Sequence, residues 1–309
     1  MNEQKAHAIL LGLALGDALG YAVELESLTS IKQRYSQRGI EEPPHPALYS
    51  DDTQMTIALA EGLMDAGLIA PLDAQMKAVS ARFIAWKNSP ENNRAPGSTC
   101  MAGVSNLEQG LPWREAGLVE SKGCGSAMRV APIGYLYQND LEKLRRVAEA
   151  SSLLTHRHPA AVAASIAAAY AVALALEGIS TAEYLPRIAQ FVDGISEEFD
   201  QALRRVGHVG AWGDEERALA HIGKGWVGDE AVAMALYCVL RYPDDYVACV
   251  CRAANIDGDS DSVACIAGGI MGARLGMGAL PVEWLQRLEN YDGLVDLANR
   301  LEQAVELET

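Results

Sequence analysis

The chain has 309 residues, 50% of them hydrophobic and 21% charged, with a net charge of -16. This is an ordinary globular composition, long enough for a large core. The acidic balance argues against a nucleic-acid backbone or an anionic membrane as a main partner, although local backbone N–H groups and a bound cation can still hold a small anion.

Helical periods dominate, and alternating β-branched runs are almost absent. Ala6 to Ala14 is apolar and mimics the core of a signal segment, but Glu3 weakens the positive flank and Asp17 and Glu24 follow closely. The run is too short to span a bilayer, and it reads as the first core helix of a cytoplasmic protein, over about 4–22. Further helices are expected at about 52–67, 72–86, 98–108, 141–154, 159–177, 181–193, 196–206, 212–220, 227–240, 243–254, 260–276 and 281–303. The loop-rich parts are 35–50, 88–97 and 111–128. No linker divides the chain, so a single domain over 1–309 is expected. Ser50 is placed to cap the helix that opens with Asp51 and Asp52. Pro159 suits a first helical turn, and Pro243 and Pro281 are expected to start two more helices. Gly268, Gly269 and Gly272 cost a helix about 1 kcal/mol each relative to alanine. Close backbone approach usually offsets such a cost, which places this helix in the middle of an all-α bundle. The six cysteines, Cys100, Cys124, Cys238, Cys249, Cys251 and Cys265, form no C-x-x-C pair and read as buried thiols in a reducing compartment.

Two acidic strings stand far apart, Tyr49-Ser50-Asp51-Asp52-Thr53 and Asp257-Gly258-Asp259-Ser260-Asp261-Ser262. Each leads into a run of small apolar residues. Aspartates and serines are common helix caps, and one such string alone would read as that. Two together form a hard-oxygen donor set for divalent cations such as magnesium, manganese or calcium, and not for zinc or copper. Asp51 and Asp52 diverge by about 100° on a helix, so each would address one of two adjacent ions. A cation would also relieve repulsion among four clustered carboxylates. An EF-hand loop beginning at Asp257 is excluded, because its glycine and terminal glutamate would fall on Ser262 and Gly268. A carboxylate pair acting on a sugar without a metal stays open.

At these residues the chain resembles the ADP-ribosylglycohydrolase family. The matching strings are Gly12 to Gly20 with Glu24, Tyr49 to Met55, Gly123 to Gly134, Leu154-Thr155-His156, and Gly258 to Ser262 with Ala267-Gly268-Gly269. They occur in the family's order over about residues 8–276. The resemblance implies a compact orthogonal multi-helix bundle around two ions, magnesium or manganese. It also implies hydrolysis of the glycosidic bond from ADP-ribose to a protein side chain, most plausibly arginine. By the same match, Ser50, Asp51, Asp52, Asp259, Asp261 and Ser262 should hold the metals, with serine at positions 50 and 262 where threonine is common. Glu24, Asp52 and Asp259 are the catalytic candidates, Glu24 as the carboxylate that orients or deprotonates a water. Gly123, Cys124, Gly125, Ser126 and Met128 form the loop that should meet the diphosphate and ribose, and His156 should meet adenine. Cys124 occupies a position that is often asparagine. Pro96 to Thr99 resembles a loop in which arginine-directed members often carry an aspartate; here Glu91 is the only acid between 88 and 99. Asp17 is expected to pack helices, and Arg129 to tie loops together. The expected partners are an ADP-ribosylated protein and the product ADP-ribose. The alternatives are a non-catalytic reader of ADP-ribose on the same fold, and a metal-dependent phosphohydrolase.

Overall fold

The computed structural model describes residues 4–307, so Glu3 and the ends of the expected domain lie outside the described residues. The described residues form seventeen α-helices with three isolated β-bridges and no sheet. In chain order they are α1 (Lys5–Tyr21), α2 (Leu28–Arg34), α3 (Asp51–Ala66), α4 (Leu72–Lys87), α5 (Ser98–Glu108), α6 (Trp113–Ala116), α7 (Ala131–Leu136), α8 (Leu141–Leu153) and α9 (Pro159–Leu176). The rest are α10 (Tyr184–Phe191), α11 (Glu197–Val209), α12 (Glu215–Ile222), α13 (Gly228–Arg241), α14 (Tyr246–Ala254), α15 (Ser260–Leu275), α16 (Val282–Leu285) and α17 (Tyr291–Glu306).

The centre of the molecule is the pair α1 and α15, which run antiparallel and are buried nearly from end to end. Small residues four apart let their backbones touch. A Cβ on Gly16 would lie 2.1 Å from the Ala264 carbonyl oxygen, and one on Gly20 2.3 Å from that of Ser260. The glycines therefore sit in the middle of the bundle, as their composition implied. The Ser260 hydroxyl donates to the Gly20 carbonyl at 3.0 Å, which fixes the register of the pair, and the Tyr246 hydroxyl of α14 donates to the Gly12 carbonyl at 2.6 Å, which ties α14 to α1. Helix α9 is long and apolar enough to cross a membrane by composition, and it is buried among the other helices here. Its start matches expectation: Pro159 opens it, and His158 Nδ1 accepts the Ala160 N–H at 3.2 Å.

Several expectations about elements need correction. Pro243 does not start a helix; Asp245 caps α14 by accepting the Ala248 N–H at 3.0 Å. The span 281–303 is two helices, α16 and α17, broken where Asn290 takes φ 53°. The span 181–193 opens with a 3-10 turn at Thr181–Glu183 before α10. Helices α2 and α6 were not expected, and α7 settles as a helix a stretch, 129–136, that could be read as helix or strand. Each has seven residues or fewer, too short to display a helical period, and docking against the rest of the fold must stabilise them.

Candidate active-site pocket

Helix α1 brings the two acidic strings together. Asp17 is fully buried on it and accepts three hydrogen bonds from the start of α3: Ser50 N–H to Oδ1 at 2.9 Å, Thr53 N–H to Oδ2 at 3.0 Å and the Thr53 hydroxyl to Oδ2 at 2.5 Å. One turn further along α1, Gly20 lies against Ser260 and Asp261. Asp17 thus fixes the first acidic string and Gly20 admits the second, which bears out the packing role expected of Asp17.

The strings meet in a cavity of about 230 Å³ whose wall includes Glu24, Asp51, Asp52, Asp259, Asp261 and Ser262. Among the described residues no lysine or arginine lines it. Local structure sets each carboxylate. Asp51 Oδ2 accepts the Gly97 N–H at 3.1 Å. The Asp52 N–H donates to Ser50 Oγ at 3.2 Å, so Ser50 caps α3 as expected. Asp52 Oδ2 is buried and has no hydrogen-bond partner among the described residues. Asp259 caps α15 through the Ser262 N–H at 3.4 Å, and Asp261 Oδ1 accepts the same N–H at 3.0 Å. Ser50 and Ser126 do not reach the cavity wall. Ser50 is buried behind it, and the Ser126 hydroxyl faces the Ala161 carbonyl at 3.5 Å.

Burial pushes every one of these carboxyls up, and repulsion from neighbouring carboxylates adds to it for all but Asp261. Desolvation, then the charges of Asp261 and Asp17, raise Glu24 to about 8. Desolvation and Asp261 raise Asp17 to about 7. Asp51, Asp52 and Asp259 stand well above the usual carboxylate range, with desolvation the largest cause for each, and Asp261 is also raised. An acidic cluster without compensating arginine or lysine, and with an orphaned buried oxygen, has the chemistry of a hard-cation site. Among the described residues no three His, Cys, Asp or Glu side chains close into a cage that would hold an ion unaided. Magnesium needs no such cage, because it keeps several waters and takes only one or two carboxylates. The residues therefore fit such an ion.

Across the cavity stands the glycine loop. Cys124–Ser126 forms a 3-10 turn, closed by the Ala127 N–H to the Cys124 carbonyl at 2.7 Å. A bridge between Gly123 and Val227 holds the loop and sets Trp226, 41% exposed, at the cavity edge. His156 packs beneath the loop: a Cβ on Gly125 would come within 3.1 Å of its Cε1 and 2.5 Å of Cys100 Sγ. The Thr155 hydroxyl accepts from Arg129 at 2.9 Å and lies 2.8 Å from His156 Nδ1. With that hydroxyl donating its hydrogen bond to Nδ1, the neutral ring carries its proton on Nε2, beside Gly123. Burial and Arg129 lower His156 to about 3, so the ring is neutral. Arg129 ties loops together, as expected, through the Gly125 and Ser151 carbonyls at 2.9 and 2.8 Å. Cys124 Sγ donates to Asp259 Oδ2 at 2.7 Å, so its side chain faces the acids.

Ala95, Cys100 and Trp226 also line the cavity, and sequence reasoning did not place them there. Ala95 holds φ 54°, a left-handed conformation that is strained for a non-glycine residue and recurs at functional loops. Its neighbourhood, Pro96 to Thr99, had been singled out. Nothing local to Trp226 distinguishes it from an ordinary core aromatic.

An all-α fold with an acidic pocket facing a glycine loop defines the class of this protein, and the comparisons agree. The family model described as ADP-ribosylglycohydrolase matches residues 2–309. An uncharacterized protein of Archaeoglobus fulgidus is 33% identical over 304 residues, covering 97% of this chain and 96% of its own length. ADP-ribosylhydrolase ARH3 of Homo sapiens is 28% identical over 342 residues, with 94% and 91% covered. ADP-ribosylarginine hydrolase Tri1 of Serratia proteamaculans is 25% identical over 311 residues, with 96% and 78% covered. A solved structure described as an ADP-ribosylglycohydrolase-related protein complex matches with a TM-score of 0.78 at 25% identity, covering 99% of this chain and 100% of that one. The chain belongs to the ADP-ribosylglycohydrolase family. Its coarse activity is that of an ADP-ribosylhydrolase, with ADP-ribosylated substrates and ADP-ribose as product.

Proposed function

We propose that the protein is a metal-dependent hydrolase that frees ADP-ribose from arginine side chains of modified proteins in the cytoplasm. The observation that carries this reading is the convergence of Glu24, Asp51, Asp52, Asp259 and Asp261 on one cavity that no lysine or arginine lines among the described residues. That field favours divalent cations on one side of the scissile bond and a cationic guanidinium on the other. The likeness to an ADP-ribosylarginine hydrolase supports the same linkage.

Asp51, Asp52, Asp259 and Asp261, with Ser262, would hold two magnesium or manganese ions. Ser50, expected as a further ligand, would fix Asp52 from behind and steady Asp261. When bound, the ions would activate a water for attack at the ribose. The chain's own groups do the rest. Glu24 takes the proton of the attacking water, in a position where nearby cations would keep it ionised. The N–H groups of the glycine loop and His156 Nε2 donate to the phosphates and the base of ADP-ribose. Trp226 shields the mouth of the cavity from water.

The test is release of ADP-ribose from a panel of arginine-linked and serine-linked substrates, with magnesium, with manganese and with chelator. Cation-dependent release from arginine is expected. Release from serine alone would overturn the arginine assignment, and equal release in chelator would overturn the metal assignment.

A further inference from the structure

Glu289, in the loop between α16 and α17, lies off the acidic cavity and lines a separate one of about 690 Å³. It accepts Arg94 Nη1 at 2.7 Å and Nη2 at 3.1 Å, one bond to each carboxylate oxygen. A forked guanidinium–carboxylate pair fixes direction as well as distance. Glu289 Oε1 also accepts the Tyr49 N–H at 2.8 Å, and Arg94 Nη1 donates to the Tyr49 carbonyl at 3.1 Å. Glu289 is itself held in place: its N–H donates to the Ala47 carbonyl at 3.1 Å, and the Ala47 N–H to the Arg287 carbonyl at 2.9 Å.

The segment anchored by this pair grips Asp51. The Arg94 carbonyl accepts the Asp51 N–H at 3.0 Å, one of the donors that a helix start leaves without an intrahelical partner. Three residues on, the Gly97 N–H donates to Asp51 Oδ2 at 3.1 Å. Between them Ala95 lines the acidic cavity at φ 54°. A left-handed alanine persists only where its surroundings over-determine it. The Arg94 anchor on one side and the Gly97–Asp51 bond on the other do so here. We infer that Glu289 is a positioning residue for hydrolysis. Through Arg94 and Tyr49 it sets the backbone and the carboxylate of Asp51, and with them the 94–97 edge of the cavity, without touching substrate. The glycine loop opposite hangs on Arg129 and not on this pair, so loss of Glu289 lowers turnover more than ADP-ribose binding. This role rests on the reading of the acidic cavity as the active site.

The experiment compares full-length wild type with Glu289→Ala, Glu289→Gln and Arg94→Lys, in magnesium, on arginine-linked and serine-linked substrates. Arg82→Gln, which breaks an ion pair with Glu61 on the same separate cavity, is the control. In Glu289→Ala and Arg94→Lys kcat should fall about tenfold or more, with the Kd for ADP-ribose within about threefold of wild type. Glu289→Gln should lose less, because its amide oxygen keeps one acceptor, and Arg82→Gln should change neither quantity. Combining Glu289→Ala with Arg94→Lys should cost no more than the worse single variant, since both break one clamp. Amide hydrogen exchange should quicken at Asp51 and Gly97 and stay unchanged at Ala127 in the glycine loop. Should Glu289→Ala fail to melt cooperatively, Glu289→Gln and Arg94→Lys carry the same test. Wild-type kcat in these variants overturns the proposal. So does a loss of kcat matched by a loss of ADP-ribose affinity and faster exchange at Ala127, which is general loosening. A wild type that releases ADP-ribose from neither linkage sinks the active-site reading instead, and exchange at Asp51 still decides whether Glu289 holds it.

Discussion

At Asp52 a buried carboxylate oxygen has no partner, while its backbone N–H is fixed by the Ser50 cap. Asp52→Asn should therefore keep the fold and lose the cation. Manganese affinity should fall at least about 10-fold and activity with it, as measured by calorimetric titration and ADP-ribose release. Glu24 stands apart from the buried aspartates, half-exposed on the turn after α1. Glu24→Gln should lower kcat by about 100-fold or more and leave manganese binding within a few-fold of wild type. An equal loss of both would make Glu24 a ligand instead of a base. The carboxylates were legible in the sequence because an isolated cap explains one acidic string but not two. The Cys124–Asp259 contact and Trp226 were not legible, because residue spacing within a loop carries no information about which distant loop it meets.

At the scale of elements, the α1–α15 contact decides whether the site exists. Gly16→Ala would push a methyl group to 2.1 Å from the Ala264 carbonyl oxygen. Overpacking of this kind should cost about 1–3 kcal/mol or more, read as a lower urea midpoint. Gly20→Ala acts on the segment that carries Asp261, so it should also weaken manganese binding, whereas Gly278→Ala, with open space around it, should do neither. Arg129 is the corresponding support for the other wall. It is fully buried, bonded to Gly125, Ser151 and Thr155, and 4.7 Å from the Phe83 ring, with no carboxylate in hydrogen-bond contact among the described residues. Arg129→Lys loses the fork that makes these bonds at once. It should cost about 2–4 kcal/mol by chemical denaturation and weaken ADP-ribose binding by loosening the glycine loop. The long alanine-rich helices and the central place of the glycine-rich one were readable from composition and period. Helices α2 and α6 were not, and α7 was not distinguishable from a strand, since one or two turns carry no periodic signal. Pro243 misled because Asp245, two residues on, competes better as a cap.

Across the whole molecule the acidic cluster makes stability depend on pH. Asp17 is raised from 3.8 to about 7 and Glu24 from 4.5 to about 8, and the four other aspartates of the cluster are raised too. A proton held by the folded chain but not by the unfolded one stabilises the fold, so stability falls as pH rises through that window. The metal-free protein should melt at progressively lower temperature as pH rises from about 4.5 to about 8. Magnesium or manganese should reverse the loss, most strongly at the alkaline end. A flat profile in chelator would show that the carboxylates do not share one environment. The most direct check on the central claim is an anomalous-scattering map of crystals grown with manganese. Two peaks are predicted, between Asp51 and Asp52 on one side and Asp259 and Asp261 on the other. No manganese peak within reach of these four carboxylates, in crystals of active protein, would contradict the account.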